Sequence, residues 1–167
     1  YGVNKEATEK ILRILSLVHN IEYVIFRPHN IFGPRQNIRD AYRNVIGIFM
    51  NRVMQGKHPI IYGDGEQIRS FSYIDNVIPS IAKMIDAPIN GEIINIGPTE
   101  TQTINLLADT VLKEFDSKLL PEHIADRPRE VKHAFCTVDK AIKLLGYSTK
   151  VSFNEGIKLM AKWAIKL

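Results

Sequence analysis

The sequence predicts an α/β fold that contains only part of a parallel sheet. Two observations carry this. Apolar residues at helical spacing alternate along the chain with short β-branched and aromatic runs. Only two of those runs, 21–27 and 91–96, have the composition of core parallel strands. Two strands are too few for an independent doubly wound sheet, so the chain is expected to be the latter half of a larger fold.

Residues 1–19 form the first predicted helix, with Ile11, Leu12, Ile14, Leu15 and Val18 at helical spacing and Asn20 as the stop. Ile21–Arg27 is a buried strand that Pro28 ends. A polar loop containing Gly33-Pro34 runs to Asp40. Tyr42–Gln55 is a second helix closed by Gly56. Ile60–Tyr62 is a short strand, Gly63-Asp64-Gly65 a turn, and Ser70–Tyr73 an extended piece. Asp75 is the expected N-cap of a helix to Asp86, with Pro79 tolerated near its start. Gly91–Ile96 is the second core strand, and Thr103–Phe115 a further helix. Residues 117–135, with Pro121 and Pro128, read as irregular. Thr137 is expected to cap a helix to Leu145, stopped by Gly146. Ser152-Phe153-Asn154-Glu155 is a capping box that opens the last amphipathic helix.

The composition is that of a soluble globular domain: 167 residues, 45% hydrophobic, 24% charged. A net charge of +4 with no aromatic-interleaved basic stripe argues against nucleic acid and leaves room for an anionic small ligand. No apolar run approaches a membrane span, and no signal-peptide pattern is legible. The single Cys136 excludes an intrachain disulfide and suits a reducing, cytoplasmic compartment. His58, His123 and His133 lack metal-ligand spacing, so no metal is expected.

Tyr1 and Lys5 stand four apart at the start of a helical pattern, on one face. An ammonium beside a phenol favours the phenolate and draws its pKa down from ~10, which suits a general acid/base. Two stretches follow it: Arg27-Pro28-His29-Asn30-Ile31-Phe32-Gly33-Pro34-Arg35-Gln36, then Gly63-Asp64-Gly65-Glu66-Gln67-Ile68-Arg69-Ser70-Phe71-Ser72-Tyr73-Ile74-Asp75. A third is Asp126-Arg127-Pro128-Arg129-Glu130-Val131, with Asp139-Lys140-Ala141 and Leu145-Gly146-Tyr147 behind it. In this order the motifs resemble the extended short-chain dehydrogenase/reductase family, in its NAD-dependent nucleotide-sugar epimerases and dehydratases. The resemblance runs over essentially the whole chain.

The resemblance implies the C-terminal part of a Rossmann-type doubly wound sheet plus a small substrate-binding subdomain. Residues 1–35 and 88–115 would be the remnant of the dinucleotide-binding domain, and 36–87 with 116–167 the substrate subdomain. It implies that Tyr1 moves the proton of a sugar hydroxyl, while Lys5 holds the nicotinamide ribose. Pro28, His29, Asn30 and Ile31 would line the nicotinamide end of NAD, with Asn30 also reaching the substrate diphosphate. Arg69 and Arg127 would grip that diphosphate; a guanidinium suits it because it is a permanently charged fork of donors. Tyr62 would pack on the base and Glu130 meet the ribose. Asn44 and Val45 would present backbone amides, and Ile60 would join them in the substrate site. The first helix, with its stripe of Ile11, Leu15 and Val18, matches the helix that pairs across homodimers.

Three positions depart from the pattern. Ser70 stands where the family carries Asp, Arg129 replaces Gly, and Glu130 replaces Asp. The Gly-rich turn that would bind the NAD pyrophosphate, and the carboxylate about twenty residues after it, have no counterpart in the chain. Gly63-Asp64-Gly65 is no substitute, because no long helix pattern follows it. The resemblance therefore implies a fragment of an epimerase acting on a UDP-sugar through a keto intermediate, inactive by itself. A dehydratase fragment or a non-catalytic nucleotide-sugar-binding module are the alternatives.

Overall fold

Strand β1 (Val24–Pro28) pairs in parallel with β6 (Glu92–Ile96), in a register that sets Ile25 beside Ile93 and Pro28 beside Ile96. The computed structural model describes residues 2–42 and 44–167. Parallel strands need a cover of helices. Helices α3 (Ile74–Asp86) and α5 (Asp139–Leu145) supply it, closing a core of Val77, Ile94, Ile96, Val138, Ala141, Leu145 and Tyr147. Helix α1 (Gly2–His19) precedes β1 and buries none of its residues. A two-pronged contact ties it down: Arg27 of β1 donates from Nε to Glu9 Oε1 at 2.7 Å and from a terminal nitrogen to Oε2.

A second core lies beside the sheet. It joins α2 (Val45–Met54), α4 (Ile104–Glu114) and α6 (Phe153–Ala164) around Phe49, Met50, Leu107, Val111, Ile157 and Met160. Strand β2 (Ile31–Phe32) pairs in parallel with β5 (Ser72–Tyr73) and links the two cores. Phe32 meets Tyr73 edge-on at 5.7 Å and Phe153 at 6.2 Å. Glycine at 156 is what lets α6 approach these rings. A Cβ there would come within 2.8 Å of Phe32 Cζ and 2.9 Å of Tyr73 Cδ2.

The remaining strands are short. β3 (Ile60–Tyr62) pairs in parallel with β8 (Glu122–Ile124). β4 (Ile68–Arg69) lies between β7 (Gln102–Thr103), antiparallel, and β9 (His133–Ala134), parallel. Strands β8 and β9 fall in the stretch expected to be irregular. Their pairing partners are about sixty residues away, and β8 is exposed along its whole length, so neither apolar alternation nor local turn chemistry announces them.

Three local expectations also shift. Asp75 lies inside the first turn of α3, where its charge complements the helix dipole, while Tyr73 takes the cap position. The cap of α5 is Val138, with no side-chain hydrogen bond, in place of Thr137. Ser152 caps α6 as expected, accepting from Glu155 N at 3.3 Å, and Gly146 ends α5 in the left-handed region. The packing also draws the boundary between cores differently. Helix α4, expected with the sheet, belongs to the α2–α6 core. Helices α3 and α5, expected in the substrate subdomain, cover the sheet. Parallel neighbours need a crossover connection, which commonly carries a covering helix, and α3 lies in the segment between β1 and β6.

The β1 ladder continues past its last residue. His29 N donates to Ile96 O at 2.8 Å, and Ser72 Oγ donates to His29 O at 2.7 Å. Its ring is half-buried, and that burial pushes the imidazole pKa below its usual 6.5. The unfolded chain therefore takes up this proton first. Stability from this group is complete above pH 6.5 and is lost as the pH falls through the lower native value. An NMR titration should place His29 below 6.5, and urea melts should show an acid-side stability loss that is reduced in His29→Gln. Gly156→Ala tests the second core. Alanine gains about 1 kcal/mol in helix propensity, but overpacking against two rings costs about 1–3 kcal/mol. Urea denaturation should show net destabilisation.

Candidate functional site

A cleft of about 610 Å³ opens between α2, the β3–β4 region and residues 127–130. All eight residues expected to contact substrate line it: Asn30, Asn44, Val45, Ile60, Tyr62, Arg69, Arg127 and Glu130. They come from five separate parts of the chain, so their convergence is a property of the fold.

Each is held by a local cause. Asn44 adopts φ +54°, which Asn tolerates better than most residues. Its side chain accepts from Ile46 N and donates to Ile31 O at 2.6 Å, tying the start of α2 to β2. Asn30, also at positive φ, donates to Ser70 O at 2.8 Å. Arg69 sits in the middle strand of its three-stranded ladder and is fixed from both sides. One terminal nitrogen bonds Ile68 O at 2.8 Å, and the other faces Glu130 Oε1 at 3.3 Å. The Arg127 guanidinium stacks on the Tyr62 ring at 3.8 Å from its centroid.

The lining is cationic. Arg39, Arg52, Lys57, Arg69 and Arg127 face two carboxylates, Asp40 and Glu130. Phe71 and Ile104 give the cleft an apolar part. This combination suits a ligand with a multiply charged anionic group next to a flat or apolar one. Arg39, Arg52, Lys57 and Gln67 were not singled out from the sequence. Isolated basic residues on a polar loop or helix carry no local signal. Gln67 is buried, donates to Tyr62 O at 3.0 Å and leaves its Oε1 unpartnered among protein groups. Its place between Gly65 and Arg69 in the second motif was the available clue.

The residues assigned to the nicotinamide end lie apart from this lining. Pro28 and His29 sit at the carboxyl ends of β1 and β6, where open α/β sheets bind ligands. Ile31 packs on the sheet core in the next short strand. Asn30 lies between the two regions and reaches the cleft. Lys5 is exposed on α1, one turn from Glu9, whose carboxylate holds Arg27 of β1. Tyr1 lies outside the described residues. Among the described residues no cluster of His, Cys, Asp and Glu could hold a metal ion. Burial pushes the Cys136 thiol pKa up, which suits an inert packing residue.

The chain has relatives among known proteins. The chain is 33% identical over 165 residues to a putative UDP-glucose 4-epimerase of Methanocaldococcus jannaschii, covering 98% of the chain and 52% of that protein. Its fold matches UDP-glucose 4-epimerase of Thermotoga maritima, solved with UDP-glucose, with a TM-score of 0.94 at 30% identity, over 99% of this chain and 53% of the other. It also matches UDP-glucuronic acid 4-epimerase of Bacillus cereus, solved with UDP-glucuronic acid and NAD, with a TM-score of 0.90 at 28% identity, over 99% and 52%. The chain thus spans about half the length of the relatives it matches. The model of the NAD dependent epimerase/dehydratase family matches residues 1–97, and the chain belongs to that family.

Proposed function

We propose that this chain forms the nucleotide-sugar-binding half of an NAD-dependent nucleotide-sugar epimerase. The observation that carries the reading is the convergence of Arg69 and Arg127 on one cleft with Tyr62, Asn30 and Asn44. A diphosphate needs several charged donors from one direction, and two guanidinium groups supply them. Tyr62 supplies a flat face for a base and Glu130 an acceptor for ribose hydroxyls. The solved relatives above hold UDP-sugars, which supports UDP as the nucleotide.

In the whole enzyme the reaction would be a reversible oxidation of the bound sugar. NAD supplies the hydride acceptor. Tyr1 takes the hydroxyl proton as the carbonyl forms and returns it on reduction. Lys5 holds the phenolate state and the nicotinamide ribose. Pro28, His29, Asn30 and Ile31 would line that end, a reading supported by the place of Pro28 and His29 at the carboxyl ends of β1 and β6. The residues that would bind the NAD pyrophosphate have no counterpart in these 167 positions, so this chain contributes the sugar-nucleotide side and no turnover alone. The exposed stripe of Ile11, Leu15 and Val18 on α1 supports a homodimer through that helix. The lone Cys136 supports a reducing cytoplasm.

Isothermal titration of the 167-residue chain should show binding of UDP-glucose and none of NAD. Arg69→Ala and Arg127→Ala should each weaken UDP-glucose binding by roughly 10- to 100-fold, the worth of a charge-assisted contact to phosphate. Unchanged affinity in both variants would remove the diphosphate clamp and the nucleotide-sugar assignment with it. The chemistry is read by expressing the gene at the relatives' full length and following nicotinamide absorbance with UDP-sugars. Tyr1→Phe should abolish turnover while UDP-sugar binding persists.

A further inference from the structure

Arg127 and Glu130 bring the chain's own charges to the edge of the cleft. Glu130 N donates to Arg127 O at 3.3 Å, closing a four-residue turn. Pro128 takes the second position and Arg129, at φ +60°, the third. That is the arrangement of a type II turn, whose third position favours glycine. An arginine there costs about 1 kcal/mol of backbone strain. The turn aims its first and fourth residues at the cleft. Arg127 covers the ring of Tyr62, and Glu130 pairs with Arg69. Upstream, the Asp126 carboxylate occupies the position that a Cβ on Gly63 would need, 1.7 Å from Oδ1. Gly63, at φ +72°, leaves room for that carboxylate as it stands.

Two of these contacts use groups that the proposed ligand also needs. A diphosphate approaching Arg69 meets the Glu130 carboxylate already there. Their side chains are only 17% and 27% exposed, so solvent screens the repulsion between carboxylate and phosphate incompletely. A released Glu130 also loses its cation. It regains partners only if the incoming molecule carries hydroxyl donors beside its phosphates.

We propose that Glu130 is a specificity-determining counter-anion. It holds Arg69 and yields it to a ligand whose diphosphate is joined to a hydroxylated sugar, while it discriminates against bare diphosphate. This rests on the nucleotide-sugar reading of the cleft and adds to it a residue that selects between ligands sharing the same charged group. It also reverses the simple expectation for one variant. A residue that only contacts ribose leaves pyrophosphate binding unchanged when its charge is removed, whereas a competing anion strengthens it.

The test is calorimetric titration of the full 167-residue chain with UDP and with inorganic pyrophosphate, for the wild type, Glu130→Gln and Glu130→Ala. The wild type should prefer UDP by about tenfold or more. Both variants should bind pyrophosphate roughly three- to tenfold tighter than the wild type, the range of a partly buried ion pair, without a matching gain for UDP. The preference for UDP therefore shrinks. Pyrophosphate binding that is unchanged, weaker or undetectable in both variants, while UDP still binds the wild type, overturns the role of Glu130 and leaves the cleft assignment standing. Failure of UDP to bind the wild type overturns both.

Discussion

The cleft depends on a pairing between strands about sixty residues apart. β3 and β8 run in parallel with Tyr62 beside Ile124, and β4 pairs with β9 so that Arg69 lies beside Ala134. The two ladders fix both ends of the segment between β8 and β9 over the turn that joins β3 to β4. With its ends held, the segment can place Arg127 on Tyr62 and Glu130 against Arg69. Neither ladder is longer than three residue pairs. Hydrogen bonds worth about 1 kcal/mol each are too few to hold it alone. Ile61, fully buried in the α2–α4–α6 core, anchors β3, and the chain of backbone bonds from Pro59 O to Glu122 N and from Ile124 O to Gly63 N extends the ladder at both ends.

The two cores divide the labour of the site. The sheet core sets the carboxyl ends of β1 and β6, where Pro28 and His29 sit. The helical core sets α2 and β3, which carry Asn44, Val45, Ile60 and Tyr62. Residues 29–32 belong to both, hydrogen-bonded to Ile96 on one side and to Ser72 on the other. A shift of this segment moves the proposed nicotinamide wall and the cleft together, because Asn30 and Ile31 are also tied to Ser70 and Asn44. The aromatic contact of Phe32 with Tyr73 and Phe153 holds the junction from below.

What could be read from the sequence follows the range of the forces involved. Helices α1, α4 and α6 are written in local periodicity and caps; α1 and α4 agree with the structure to within a residue, and α6 starts where expected but stops at Ala164, three residues before the last position. The strand β6 and the turn residues of 63–65 are equally local. All eight expected substrate contacts line one cleft because their motifs record a shared fold. Strands β8 and β9 were invisible, since their hydrogen bonds depend on partners that no nearby residue encodes. Core membership is equally non-local: α4 follows β6 in sequence but buries Leu107 and Val111 against α2 and α6. The pairing of Arg69 with Glu130 was out of reach because it needs the turn geometry of Arg129 as well as both ladders.

Ser70, Arg129 and Glu130, read in the sequence as departures from the pattern it resembles, stand beside Arg69 or in the turn that faces it. Ser70 is completely buried, and its hydroxyl has no partner among protein groups, while its carbonyl accepts from Asn30. Arg129 bends the backbone into a region that favours glycine, and Glu130 turns back onto Arg69. A lone buried hydroxyl and a strained arginine each cost of the order of 1 kcal/mol or more. Elsewhere Thr103 and Ser152 cap helices and Gly146 ends one, while Arg35 and Asp116 also take positive φ and α5 starts without a side-chain cap. The charge balance of the cleft is set by the 127–130 turn, which holds Glu130 against Arg69, as much as by the guanidinium groups themselves.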